Sequence, residues 1–259
     1  MTDKPFAITT GDQRFFRTLV TAMAALLVSG FVVQLAAGRS SFSAPLIVHA
    51  HAVVFMGWAA ILVTQSWLQV GNVPAHRMLG RIAIVWFLGV LILGPLVTLH
   101  AVQTLRAAFF FQPQHFLIAN PLTVFAALGF FTAAVALRRR TDWHARLQVA
   151  SFLMILGPGP GRLLPMPFLT PWAFEIACLV GLIFPIIGMV RDRRAHGRVH
   201  PAWWWTIGVL VAMLVAARVL AFSPVGDALF ATLTAGTPAE GIDGRAFPPP
   251  PGSPPSNGP

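Results

Sequence analysis

The sequence predicts an all-α integral membrane protein, a bundle of seven transmembrane helices with the N-terminus inside and the C-terminus outside. Three observations carry this expectation. Apolar residues make up 56% of the 259 and charged residues only 10%, too little polar surface to cover a water-soluble domain of this size. Seven runs approach the roughly 20 predominantly apolar residues that a helix needs to cross the hydrocarbon core. Thirteen of the 18 Lys and Arg residues fall on one side of those runs, which the positive-inside rule places in the cytoplasm.

The first run, Thr18–Ala37, follows Lys4, Arg14 and Arg17. It is longer than the roughly 7–15 residues of a signal-peptide core and no clear small-residue cleavage site follows, so it reads as a retained span. Pro45–Val70 is the second span, and Arg77 and Arg81 lie in the basic turn after it. Ile82–Leu99 is the third. The longer segment Ala101–Gln114 sets Phe109, Phe110 and Phe111 beside Arg106, the composition of a short amphipathic piece in the outer interface. Leu117–Leu137 follows as the fourth span, closed by Arg138, Arg139 and Arg140.

Leu147–Leu164 is the fifth span and the least regular. It contains Gly157-Pro158-Gly159-Pro160-Gly161-Arg162, and alternating Gly and Pro cannot continue an α-helix, because each Pro removes a donor and clashes with the preceding turn. Trp172–Val190 and Trp203–Phe222 complete the set, their tryptophans placed after Pro171 and Pro201, where the aromatic belts of a bilayer lie. The expected organisation is a cytoplasmic segment over 1–17, a transmembrane domain over 18–222 and a disordered tail over 223–259. Gly, Pro and Ser dominate that tail from Ala235 onward.

The net charge of +10 is explained by this topology, and nucleic acid is not needed as a partner. The partners expected instead are the lipid bilayer, and with it a quinone, a redox partner or other subunits of a membrane complex. The expected location is a bacterial inner membrane. The one cysteine, Cys178, lies inside the sixth span and reads as a small core residue. A retinal protein is excluded, since the only lysine is Lys4 and no Schiff-base lysine exists in span seven.

Ionisable residues gather at the outer end. His49 and His51 open span two, two residues and about 200° apart, so only one faces the interior. His100 ends span three and His115 opens span four. Facing imidazoles are the ordinary axial pair for a haem in a helical bundle, so His51 with either His100 or His115 is the expected ligand pair of one haem b. Glu175, Arg162 and Arg218 form an expected buried charge cluster at the same end, since ionisable residues in a membrane normally face inward and pair. Pairing Glu175 with one arginine leaves the other to meet an anion.

A weaker echo links the inner turns. His76-Arg77-Met78-Leu79 opens span three and His144-Ala145-Arg146-Leu147 opens span five, each with a His three residues before a Leu. A duplicated two-helix unit produces this, as do two independent helix starts. His49 and His51, Trp58, Gln65, the run His76-Arg77-Met78-Leu79-Gly80-Arg81, the segment at His144 and the distal Arg162 together resemble a bacterial family of predicted multi-pass membrane proteins of unknown function. The similarity covers about Pro45 to Leu164, and its most specific piece is His-Arg-x-Leu-Gly-Arg. In that family the second motif usually reads His-Arg-Arg-Trp-Met, from which Ala145 and Leu147 depart. The resemblance implies an architecture and a set of positions, His76, Arg77, Gly80 and His144 among them, without a reaction. Three functions follow from the residues: a small b-type cytochrome or redox-associated protein, a carrier for an anionic small molecule or lipid at the broken fifth span, and an assembly subunit without chemistry of its own.

Overall fold

The computed structural model describes Phe6 and residues 8–39 and 42–250. Six helices among them are long and apolar enough to cross a membrane, the pattern of a multi-pass membrane bundle. They are α1 (Thr10–Ala36), α2 (Leu46–Leu68), α3 (Val73–Gln103), α4 (Pro113–Ala136), the segment Ala173–His196, and α9 (Pro201–Ala221). The segment Ala173–His196 comprises α7 (Ala173–Leu179) and α8 (Ile183–His196), joined by one 3-10 turn.

The helices extend beyond the apolar runs because polar caps hold their first turns. Helix α1 begins at Thr10, where the Thr9 hydroxyl accepts from the Asp12 amide at 3.1 Å and Asp12 accepts from the Thr9 amide at 2.9 Å. This capping box satisfies two amides that the helix leaves open. Asn72 caps α3 through the Ala75 amide at 3.0 Å, ten residues before the apolar run starts at Ile82.

The expected fifth span is not a continuous helix. It becomes α5 (Thr141–Met154), a break, and a single turn α6 (Pro160–Leu163), as the Gly-Pro alternation dictates. The break lies against α1 so closely that a β-carbon on Gly159 would come within 2.8 Å of the Leu27 backbone, and one on Gly30 would strike the Gly159 carbonyl. Gln34 Nε2 donates to the Arg162 carbonyl at 2.7 Å, satisfying one acceptor that the break frees. The interrupted backbone is thus covered by protein, the condition under which it is tolerated at membrane depth.

The tail expected to be disordered from 223 is structured over its described part. Ser223 caps α10 (Pro224–Thr234), whose Phe230 is buried against Val102 and Leu117. Arg245 pairs with Asp227 at 2.6 Å, and the Gly244 carbonyl accepts from the Gln114 amide at 2.9 Å. A Ser-Pro helix start and one large apolar residue suffice to seat this segment on α3, α4 and α9. The final stretch, 251–259, lies outside the described residues.

At the end of the bundle that carries Arg138–Arg140, α5, α8 and α9 meet on one ion pair. Arg146 and Asp192 are 0% and 1% exposed. Arg146 donates twice to the Asp192 carboxylate, from Nε at 3.0 Å and from Nη2, while its Nη1 reaches the Asp142 carbonyl at 2.9 Å. Asp192 also accepts from Trp203 Nε1 at 2.8 Å and from the His200 amide at 3.2 Å. Gly188 makes room for that indole, since a β-carbon there would collide with the ring. Burial pushes the His200 imidazole down to about 4. Its Nδ1 accepts from the Ala202 amide at 3.1 Å, which requires a neutral ring, so at 3.3 Å its Nε2–H donates to the Asp142 carboxylate without forming an ion pair.

Replacing Asp192 by Asn should destabilise the protein by about 3–5 kcal/mol, because it strands the Arg146 charge in a dry site. The double change of Arg146 to Met and Asp192 to Leu should cost less than that single one. Thermal unfolding in mild detergent reads both, and a single variant no worse than the double would remove the pair from its role.

Candidate functional site

The expected haem pair is not brought together. Helices α2 and α3 run antiparallel, with Trp86 Nε1 donating to the Val54 carbonyl at 2.9 Å and His51 beside the Leu93 backbone. His100 is therefore seven residues farther along α3, roughly 10 Å at 1.5 Å per residue. Thr98 and Asn120 bond at 2.6 Å between α3 and α4, which sets His115 roughly 15 Å farther out than His51 by the same rise. One iron cannot bridge either pair. His49 Nε2 bonds the Phe42 carbonyl at 3.1 Å and serves the hairpin before α2.

His115 belongs instead to the charge cluster. Arg218 Nε donates to Glu175 Oε1 at 2.7 Å, and His115 Nε2 stands 3.5 Å from the same oxygen. Arg218 also donates to the Pro171 carbonyl at 2.9 Å and lies 4.1 Å over the Trp172 ring. His115 is walled by Phe174 and Phe222, at 5.5 and 6.2 Å between ring centres. Arg162 is elsewhere, beside the break: its Nη1 donates to the Pro158 carbonyl at 3.0 Å and its guanidinium lies 3.9 Å over Phe31.

The echo histidines are brought together. His76 Nδ1 donates to the Gln65 carbonyl at 3.2 Å, and His144 Nδ1 donates to the Ala134 carbonyl at 2.8 Å. Each histidine, at the start of the second helix of a hairpin, reaches back to a carbonyl near the end of the first. The two rings meet 6.4 Å apart between centres, at 81°. A carbonyl only accepts, so Nδ1 carries the proton in both rings and Nε2 keeps its lone pair. A neutral ring is the ligating form.

Around this pair lie Gln65 and Gln148, whose buried Oε1 atoms have no hydrogen-bond partner among the described residues. Gly80 is beside Gln65, 3.5 Å from its Nε2 by the position a β-carbon would take, while Arg77 is exposed. Above them Trp58, fully buried, meets Phe87 and Phe131 at 4.8 and 5.0 Å. His51, Trp58 and Gln65 share one stripe of α2 at seven-residue spacing. That stripe was a usable sequence signal for the interior face. Arg146, by contrast, looked like one more basic residue of a cytoplasmic turn. The lone acid in Arg191-Asp192-Arg193-Arg194 was the available hint to its partner.

Compared with family models, curated proteins and solved structures, the chain matches none.

The cluster at Glu175 predicts an asymmetry. Glu175 is 7% exposed, whereas the Arg218 side chain keeps 24% exposure and can turn to water or headgroups. Arg218→Gln should therefore lower thermal stability more than Glu175→Gln, since the first strands a buried carboxylate. The two changes together should cost less than their sum, while Arg162→Gln should add independently to either. Additivity of Glu175→Gln with Arg218→Gln would dissolve the pair.

Proposed function

We propose that this chain is a small b-type membrane cytochrome of the bacterial inner membrane, holding one haem between His76 and His144. The observation that carries the reading is the pair of neighbouring imidazoles, packed edge to face, each with its Nδ1 proton committed to a backbone carbonyl. That arrangement fixes ring orientation and raises the basicity of the free nitrogen, as the outer-shell partners of metal-bound histidines do. The two ring centres stand 6.4 Å apart, and His76 and His144 would be the residues that hold the haem.

Two imidazoles complete the coordination of a haem iron, whose other four ligands come from the porphyrin, whereas a bare ion here would require further ligands. Among the described residues no group of three His, Cys, Asp or Glu is placed to hold an ion. Bound haem supplies one-electron transfer. The chain's part is to orient both rings through the Gln65 and Ala134 carbonyls, to offer the Gln65 and Gln148 amide oxygens inside the bundle, and to offer Arg77, Arg81 and Arg138–Arg140 as countercharges for propionates. A quinone or a redox subunit is the electron partner this function calls for.

The reading includes the topology. The broken α5–α6 segment is the fifth of seven crossings, with the N-terminus cytoplasmic and the C-terminus outside. It also carries the resemblance to the family marked by His-Arg-x-Leu-Gly-Arg, whose histidine is here His76.

The purified protein should show a low-spin Soret band that sharpens and shifts on reduction with dithionite. His76→Ala or His144→Ala should abolish it, and His51→Ala or His115→Ala should retain it. A colourless protein after expression with ample haem, or a band indifferent to His76 and His144, would sink the assignment. For the topology, alkaline phosphatase fused after Phe222 should be active and after Arg140 inactive. The opposite pattern inverts the orientation.

A further inference from the structure

At the end of the bundle away from Arg138–Arg140, half-buried Arg218 and exposed Arg245 are each neutralised by a carboxylate. Arg218 has Glu175 and Arg245 has Asp227. Arg162 has no carboxylate within ion-pair distance among the described residues, and its only hydrogen bond from the guanidinium goes to the Pro158 carbonyl. Nε and Nη2 of that group keep their protons free of protein acceptors. Arg39 and Arg106, also at this end, are exposed on loops where water and headgroups satisfy them.

Arg162 is not a loose surface side chain. It projects from α6, which the Gly30–Gly159 contact presses against α1. Its own carbonyl is clamped by Gln34, and Phe31 supports the flat face of the guanidinium at 3.9 Å. Depth follows from helix register. Arg17 lies over Trp67 at 4.4 Å between the antiparallel α1 and α2, so Phe31 faces the level of Val53, and Arg162 stands near His51. That is about five residues, or roughly 8 Å, inside the far end of α2. The Nδ1 of His51, at this level, is buried without a partner.

An uncompensated cation at this depth is costly and normally meets a counter-ion. A guanidinium held by stacking, with donors left in its plane, suits a carboxylate or phosphate and loses little freedom on binding. We propose that Arg162, on the broken fifth segment beside His51, is a binding site for an oxyanion, supplied either by an anionic lipid headgroup or by a free phosphate-like anion. This site lies at the opposite end of the bundle from His76 and His144 and does not rest on the haem.

The test uses the full chain in mild detergent. Dioctanoyl-phosphatidylglycerol and inorganic phosphate are titrated separately, with thermal stability as the readout, and native mass spectrometry counts retained phosphatidylglycerol. The wild type should be stabilised by at least one of the two. Arg162→Gln should weaken that binding about tenfold or more, the loss of one charge-assisted contact, and Arg39→Gln should leave it unchanged. Arg162→Lys, which keeps the charge and loses the planar fork, should fall between. Stabilisation by the lipid alone identifies a headgroup, and stabilisation by phosphate as well identifies a free anion. If neither probe stabilises the wild type, or Arg162→Lys binds as the wild type does, the site does not exist. The wild-type titration and the lysine variant decide this even where Arg162→Gln does not fold. A haem-free protein leaves every arm of the experiment readable.

Discussion

The buried pair of Arg146 and Asp192 is the constraint on which the rest of the bundle turns. Two charges at essentially zero exposure are tolerated only when geometry is good and the remaining polar atoms are satisfied, and here the Asp142 carbonyl, the Trp203 indole and the His200 amide complete the set. Because these groups come from α5, α8, α9 and the turn before α9, the pair fixes how three helices enter the bundle. It fixes the start of α5 in particular. His144 is two residues before Arg146, so the anchor that seats the guanidinium also sets the position from which His144 reaches its carbonyl on α4 and meets His76. The polar pair and the histidine pair are one construction seen from two sides of α5.

The two ends of the molecule solve the burial of polar groups differently. At the arginine-rich end, the Arg146–Asp192 pair and His200 are closed by hydrogen bonds to backbone and to one another, while the Gln65 and Gln148 amide oxygens stay open. At the other end, Glu175 and Arg218 close on each other while Arg162 and several ring nitrogens are left with bonding capacity to spare. The segment after Ser223 lies over that second end, with Phe230 buried and Arg245 tied to Asp227. The far end thus has a floor of partly satisfied polar atoms and a cover of modest apolar area.

Much of the architecture was legible in the sequence because bilayer thickness and helix rise leave few choices for runs such as Pro45–Val70 or Trp203–Phe222. The break at Gly157–Gly161 was legible for the same reason, since proline chemistry is local. What escaped was whatever depends on partners far apart in the chain. Histidines 51, 100 and 115 share an end, but level along the bundle is set by the register of α2, α3 and α4, which no single run reveals. Arg162 and Arg218 looked equivalent as partners for Glu175 until α6 was seen to lean on α1. The echo at His76 and His144 was visible as spacing, but its meaning lay in two carbonyls, Gln65 and Ala134, that have no sequence signature. The ordering of 224–250 was hidden because composition reports average burial, and one well-placed Phe230 with one capping serine outweighs the surrounding glycines and prolines.

The stack of Trp58, Phe87 and Phe131 has a consequence for the molecule as an electrical object. Rungs seven residues apart on α2 are separated by about 10 Å, far beyond the length of a hydrogen bond, and the rung between His51 and Gln65 is this aromatic knot, nearly all of it hidden from solvent. Polar groups at the two ends therefore do not join into a continuous chain of donors and acceptors along α2. A low-dielectric partition lies between them, and a field across the bilayer drops over that partition. Along this stripe, protons and small ions meet an insulator, so polar groups at both ends of the bundle do not make a leak through its middle.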